Sequence, residues 1–297
     1  MSAVRTLSTS EFARALGLSE SSVRRLFDTG DLGVYRTRGG HRRIPVSEAI
    51  RYVRATHANL VEPELLGMDR VLEQVRSNSP IEDMIHVLEE GHATAVTGLM
   101  QWLFASGMSV AELCDGPIAM ALKHIGERWP HDKRAIFIEH RATILCERAL
   151  NQLRLSVGTP DEDAPVAIGG AMSGEVYFLP TLMASLVLQE AEFNETNLGP
   201  NTPLDVLADA VIDEQPSLLW LSISEPLRSN SHRAEVLKLA EVAQVNKTVF
   251  IVGGRHASEL ASLTMGPDNN SNLIICNSMV GLSKVAMQTA KTLATQK

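Results

Sequence analysis

Between residues 21 and 43 the chain sets out side chains suited to gripping a polyanion: Ser21, Ser22, Arg24 and Arg25, then Tyr35, Arg36, Arg38, Gly40, His41, Arg42 and Arg43. A guanidinium offers paired N–H donors that match a phosphate or the edge of a guanine, and arginine in place of lysine favours that planar contact. A second set stands at the ends of short apolar runs in the C-terminal half: Glu175 and Tyr177, Ser222 and Ser224, Gly253 and Gly254. Glycines at a strand end admit close backbone approach, and hydroxyls beside them can donate to a ligand. Trp129, Glu139 and His140 make a third, looser group: a broad apolar face followed by two groups able to fix polar atoms beside it.

The elements that must position the first set are legible from caps and glycines. Leu7-Ser-Thr-Ser-Glu11 places hydroxyls and an acid before Phe12, Leu16 and Leu18, the start of a helix. Gly17 interrupts. Ser19-Glu-Ser-Ser-Val-Arg-Arg-Leu-Phe27 opens a second helix, with Val23, Leu26 and Phe27 inward and the serines and arginines outward. Two short strands around Gly39-Gly40 put Arg36, Arg38, His41, Arg42 and Arg43 on a hairpin tip, and Pro45-Val-Ser-Glu48 starts a third helix through Arg54. This is a winged helix-turn-helix over residues 1–57, whose second helix reads base edges of a double-stranded DNA operator while the wing grips phosphates.

Charge sorts the chain the same way. Residues 1–56 hold ten arginines, no lysine and five acids, a net +5, which leaves −13 on the other 241 residues. A basic head on an acidic body implies a polyanion partner for the head alone. Residues 58–78 read as a linker with a docking helix, around Pro63, Gly67, Ser77 and Asn78. From 79 to 158 the apolar spacing is helical. One segment runs from Met84 through Phe104 to a stop at Gly107, another from Ser109 to Trp129-Pro130, and a third from Asp132 to Leu153, which together predict three or four antiparallel helices in a small bundle of the four-helix-bundle class.

From 165 to 297 the period changes. Val166-Ala-Ile-Gly169, Ser217–Ser224, Thr248–Val252 and Asn272–Cys276 are short apolar runs separated by helical segments, with a further, more polar strand expected near Ala191–Asn197. Strands that are apolar throughout, alternating with helices, predict a doubly wound parallel sheet with its ligand crevice at the strands' carboxyl ends. The fold class is therefore multidomain, α followed by α/β.

Residues 6–54 resemble the winged helix-turn-helix of the MerR family, and Tyr35-Arg-Thr-Arg-Gly-Gly-His-Arg-Arg-Ile44 closely resembles that family's wing. Bundle and sheet together resemble the cobalamin-binding module of methionine synthase and of the CarH/LitR light-sensing branch of MerR-like repressors. That module's Asp/Glu-x-His-x-x-Gly, Ser-x-Leu/Thr and Gly-Gly elements are met by Glu175-x-Tyr177-x-x-Pro180, by Ser222-x-Ser224 after 41 residues, and by Gly253-Gly254 after another 28. Trp129 and, after nine residues, Glu139-His140 resemble the element that covers the upper face of adenosylcobalamin in that branch. The resemblance implies a Rossmann-like domain of flavodoxin-like strand order, a bundle capping the cofactor, and a homo-oligomeric repressor, dimer or tetramer, whose assembly answers to cofactor or light.

The chain departs from the pattern at the metal. Tyr177 stands where an imidazole would ligate cobalt, Pro180 where a glycine would allow close approach, and Pro130 where the light-sensing branch carries a histidine, His131 coming one position late. No metal ligand is expected from the protein. Three readings stay open: cobalamin held without a histidine ligand, a module that has lost the cofactor and serves oligomerisation, or a different ligand such as a haem or bilin, to which His131, His140 and His256 could contribute.

Other classes fare worse. No run approaches the ~20 apolar residues of a membrane helix, and Cys114, Cys146 and Cys276 lack metal-ligand spacing. No secretory pattern begins the chain, so a cytoplasmic location is expected. No nucleophile elbow, zinc-protease motif or phosphate loop is present, and no stretch is long enough for a catalytic barrel beside the module. The expectation is a regulator and not an enzyme, with DNA and a second copy of itself as partners and no membrane.

Overall fold

The computed structural model describes residues 5–68, 79–127, 133–227, 230–263 and 273–296, and the chain divides into two compact units, Met1–Gly158 and Thr159–Lys297. Residues 69–78 of the expected linker, and Trp129, Pro130, His131 and Asp132, lie outside the described residues.

The first unit begins with strand β1 (Thr6–Leu7) and helix α1 (Thr9–Ala15). Ser8 Oγ accepts from the Glu11 amide and the Glu11 carboxylate accepts from the Ser8 amide, so two of the helix's unpaired donors are satisfied reciprocally. Helix α2 (Glu20–Thr29) is capped in turn by Ser19 Oγ on the Ser22 amide, at 3.1 Å. Strands β2 (Tyr35–Arg36) and β3 (Arg42–Pro45) form the hairpin, and β3 pairs on its other side with β1, giving a three-stranded antiparallel sheet of order β1-β3-β2. Helix α3 (Val46–Thr56) closes the head around fully buried Phe12, Val23, Ile44 and Ile50.

The spacing from Met84 to Phe104 predicts one helix; the structure makes two, α4 (Pro80–Glu90) and α5 (Ala93–Ala105). The cause is Gly91, whose left-handed backbone (φ 79°) terminates α4. Next, α6 (Val110–Leu113) widens into a π turn over Cys114–Ile118 before α7 (Ala119–Gly126). Pro117 sits inside that turn, where its missing N–H and ring bulk oppose regular α-helical bonding. The 25-residue α8 (Lys133–Val157) completes the bundle.

Head and bundle are joined by more than chain continuity: α3 packs on both α5 and α8. The Arg54 guanidinium donates to the carbonyls of Phe104 and Met108, each at 2.7 Å, and lies 4.0 Å from the Phe104 ring centroid. One cation thus fills the carbonyl end of α5, where the helix dipole is negative.

The second unit is a five-stranded parallel sheet of β4 (Val166–Ala171), β5 (Asn194–Asn197), β6 (Leu218–Ser222), β7 (Val249–Gly253) and β8 (Leu273–Cys276), in the order β5-β4-β6-β7-β8. Helices α9 (Leu179–Glu190), α10 (Leu204–Glu214), α11 (Asn230–Val245) and α12 (Met279–Gln296) alternate with the strands. This is the second-first-third-fourth-fifth arrangement implied by the resemblance. The order reverses between β4 and β6, the switch point where doubly wound sheets open a crevice at their carboxyl ends.

Strand β5, the polar strand expected near Ala191–Asn197, is held in place by α9. The buried helix carries Thr181, Ser185 and Gln189 at four-residue spacing. The Ser185 hydroxyl donates to Glu195 Oε2 at 2.6 Å and the Thr181 hydroxyl to Asn197 Oδ1 at 2.7 Å, so the edge strand is held by paired polar groups in place of apolar packing.

Candidate nucleic-acid interface and ligand cleft

On the head, Ser21, Arg24 and Arg25 are exposed along α2, with Ser22 half-buried. Ser19 Oγ lies 2.8 Å from Ser21 Oγ and 2.9 Å from Ser22 Oγ, a knot of hydroxyls at the helix start. Arg24 reaches back to Glu20 at 3.5 Å, an exposed pair that competes weakly with another anion. Across the hairpin, Thr37 and His41 bridge the turn: the Thr37 amide donates to the His41 carbonyl at 2.9 Å, and the His41 amide to Thr37 Oγ1 at 3.2 Å. Gly40 turns the tip with φ 78°. Tyr35, Arg36, Arg38 and His41 are exposed there, and Arg43 is half-buried.

Arg42 behaves differently from its neighbours. The spacing predicts it on the exposed tip, gripping phosphate. In the structure its guanidinium pairs with Asp28 Oδ1 at 3.3 Å and lies 5.0 Å from the Phe27 ring centroid, so it ties the wing to the C-terminal end of α2. Asp28 lies 14 residues upstream, and no local pattern marks a pair at that separation.

In the second unit, β4 and β6 bring Glu175, Ser222 and Ser224 to one end of the sheet, and the register pairs Ser222 with Gly253 on β7. Glu175 is 2% exposed, and its Oε1 accepts from the amides of Ser224 (2.7 Å) and Glu225 (2.8 Å). This carboxylate therefore bonds the neighbouring loop, not the residue at 177. Its Oε2 is buried and has no hydrogen-bond partner among the described residues. The next residues face solvent, Val176 at 75% and Tyr177 at 50% exposed, with Phe178 also exposed.

Gly254 answers to the protein's own backbone: at φ 106°, a Cβ there would collide with the backbone of Ile223. Behind the loop, Trp220 packs against Gly169 and donates from Nε1 to Thr181 Oγ1 at 3.2 Å. His256 Nδ1 stands 2.7 Å from Glu259 Oε1 at the end of β7. On α8, Glu139 lies 3.6 Å from His140 Nε2 and accepts from Thr143 Oγ1 at 3.3 Å; Trp129 lies outside the described residues.

Comparison with known proteins separates what is shared from what is local to this chain. Residues 6–56 match the family described as a helix-turn-helix domain, and residues 80–154 match the B12 binding domain. The chain therefore carries, in order, a segment similar to helix-turn-helix domains and a segment similar to B12 binding domains. The second match falls on the helical bundle, not on the sheet. The chain is 26% identical to the HTH-type transcriptional repressor CarA of Myxococcus xanthus over 269 residues, 86% of this chain and 88% of that one. The monomethylamine corrinoid protein of Methanosarcina barkeri has a similar fold, at a TM-score of 0.52 and 13% identity, covering 70% of this chain and 97% of its own. Among the described residues no helix is long and apolar enough to cross a membrane, and no group of three or more His, Cys, Asp or Glu side chains could hold a metal ion.

The loop residues do not fit protein ligation of cobalt. A lower axial ligand needs an imidazole oriented by a neighbouring carboxylate. Residue 177 is a phenol, half exposed, and Glu175, the carboxylate two positions before it, is committed to two amides.

Proposed function

We propose that the chain is a DNA-binding transcription regulator, a repressor, whose cobalamin-type module governs oligomeric state without a histidine–cobalt bond at residue 177. The observation that carries the DNA half is the exposed array of Arg24, Arg25, Arg36, Arg38 and His41 on a capped helix and its adjoining hairpin, within a segment that matches a helix-turn-helix domain. The similarity to a named repressor across most of both chains supports the regulatory reading over a catalytic one. One winged head makes few contacts, so a repeated or palindromic operator bound by a homo-oligomer supplies the affinity.

A second reading keeps a ligand in the sheet's crevice, cobalamin on its own benzimidazole or another flat molecule. Consecutive exposed Val176, Tyr177 and Phe178 at the carboxyl edge of the sheet favour it, because a solvent-facing apolar run is unfavourable unless something covers it.

Substituting Arg36→Ala with Arg38→Ala removes two phosphate-facing cations. Operator affinity should fall, and the slope of log K against log salt should shrink by roughly 1–2 units. An unchanged affinity and slope in a folded variant would refute the DNA assignment.

A further inference from the structure

At the switch point between β4 and β6, two successive amides converge on one atom. The N–H groups of Ser224 and Glu225 both point at Glu175 Oε1, at 2.7 and 2.8 Å. Paired backbone donors of this kind form a concavity for an oxyanion, and they lie where a doubly wound sheet takes its ligands. The atom now filling the concavity belongs to the protein. We propose that the Ser224–Glu225 amide pair is an oxyanion-binding nest that Glu175 occupies as an internal stand-in, and that a phosphate or carboxylate group of a ligand takes its place.

Two further observations support a displaceable occupant over a fixed strut. Glu175 is only half satisfied: Oε2 is buried without a partner among the described residues, an arrangement that weakens the carboxylate's hold on the site. The backbone before it turns at Gly174, φ 88°, with the Gly174 amide on Asn201 Oδ1 at 2.9 Å and the Glu175 amide on the Met172 carbonyl at 3.1 Å, so release of the carboxylate proceeds by side-chain rotation with this turn kept. The backbone after it carries exposed Val176 and Tyr177, so outward movement of Glu175 drags no buried side chain from those two positions. Arg255, exposed at the end of neighbouring β7, adds a cation to the same edge of the sheet. The inference concerns the class of group the crevice binds and does not depend on a corrinoid being the ligand.

The test uses the full chain labelled with nitrogen-15 and titrated with inorganic phosphate, with chloride at matched ionic strength as control. In Glu175→Ala the amides of Ser224 and Glu225 should shift saturably with phosphate and not with chloride. In the wild type the same response should need roughly tenfold more phosphate or greater, since the carboxylate competes through two charge-assisted hydrogen bonds. Glu175→Gln keeps an acceptor oxygen without the charge and should fall between them, which preserves the test if the alanine variant does not fold. Amides that ignore phosphate in a folded Glu175→Ala or Glu175→Gln protein would overturn the proposal. Such a failure would leave the DNA assignment, which is read from the other unit, untouched.

Discussion

At the scale of single residues, Arg42 and Glu175 share a feature: each was singled out for a partner outside the protein and found one inside. Arg42 lies against Phe27 and Asp28. The exposed ion pair and cation–π contact are together worth about 1 kcal/mol, enough to favour one wing angle without fixing it. If Arg42 braces the wing, Arg42→Asp should weaken operator binding severalfold and Asp28→Arg with Arg42→Asp should restore it. If Arg42 instead grips phosphate, the reversed pair stays weak, which a gel-shift titration of the two variants decides. The sequence carried the types of these side chains plainly and their partners not at all. Asp28 and Arg42 are brought together by the hairpin, and Glu175 meets backbone amides some fifty positions downstream, which have no side-chain signature to read.

Elements were most legible where their determinants are local. Ser8 with Glu11 and Ser109 with Glu112 are hydroxyl-x-x-acid pairs, and both form reciprocal caps. Their carboxylates are held below the usual range, Glu11 by the Ser8 amide and then its hydroxyl, Glu112 by the Ser109 amide and then its hydroxyl. A depressed folded-state value means the stabilisation is present above the unfolded carboxylate range, near ~4.3, and is lost as pH falls through the folded value. Glu11→Ala should therefore cost about 0.5 kcal/mol at neutral pH. The difference from wild type should close in acid, as followed by urea midpoints across pH; a penalty constant down to the acid limit would contradict the charged cap. Strand β5 shows the opposite case. Asn194-Glu-Thr-Asn197 has no apolar residue and only Thr196 of the branched kind that marks a strand, because its partners are the polar side chains of α9. Gly91 is intermediate: a glycine inside an apolar helical pattern is tolerated in many helices, and only its left-handed conformation shows that it ends this one.

Over the whole molecule, composition and period anticipated the fold class, α followed by an α/β body whose strand order is the one the resemblance implied. The close union of head and bundle through α3 and Arg54 was not visible, since it depends on a side chain meeting the carbonyls of residues fifty positions away. In the body, residue 177 is a tyrosine where the resemblance implies an imidazole. Electron paramagnetic resonance tests directly whether a protein imidazole reaches cobalt. Cob(II)inamide, which has no benzimidazole of its own, is added to the wild type and to Tyr177→His, and free corrinoid is removed. The wild type should show no nitrogen superhyperfine splitting on cobalt, and Tyr177→His should show it. Nitrogen splitting already present in the wild type would contradict this, by showing that another protein imidazole reaches the metal.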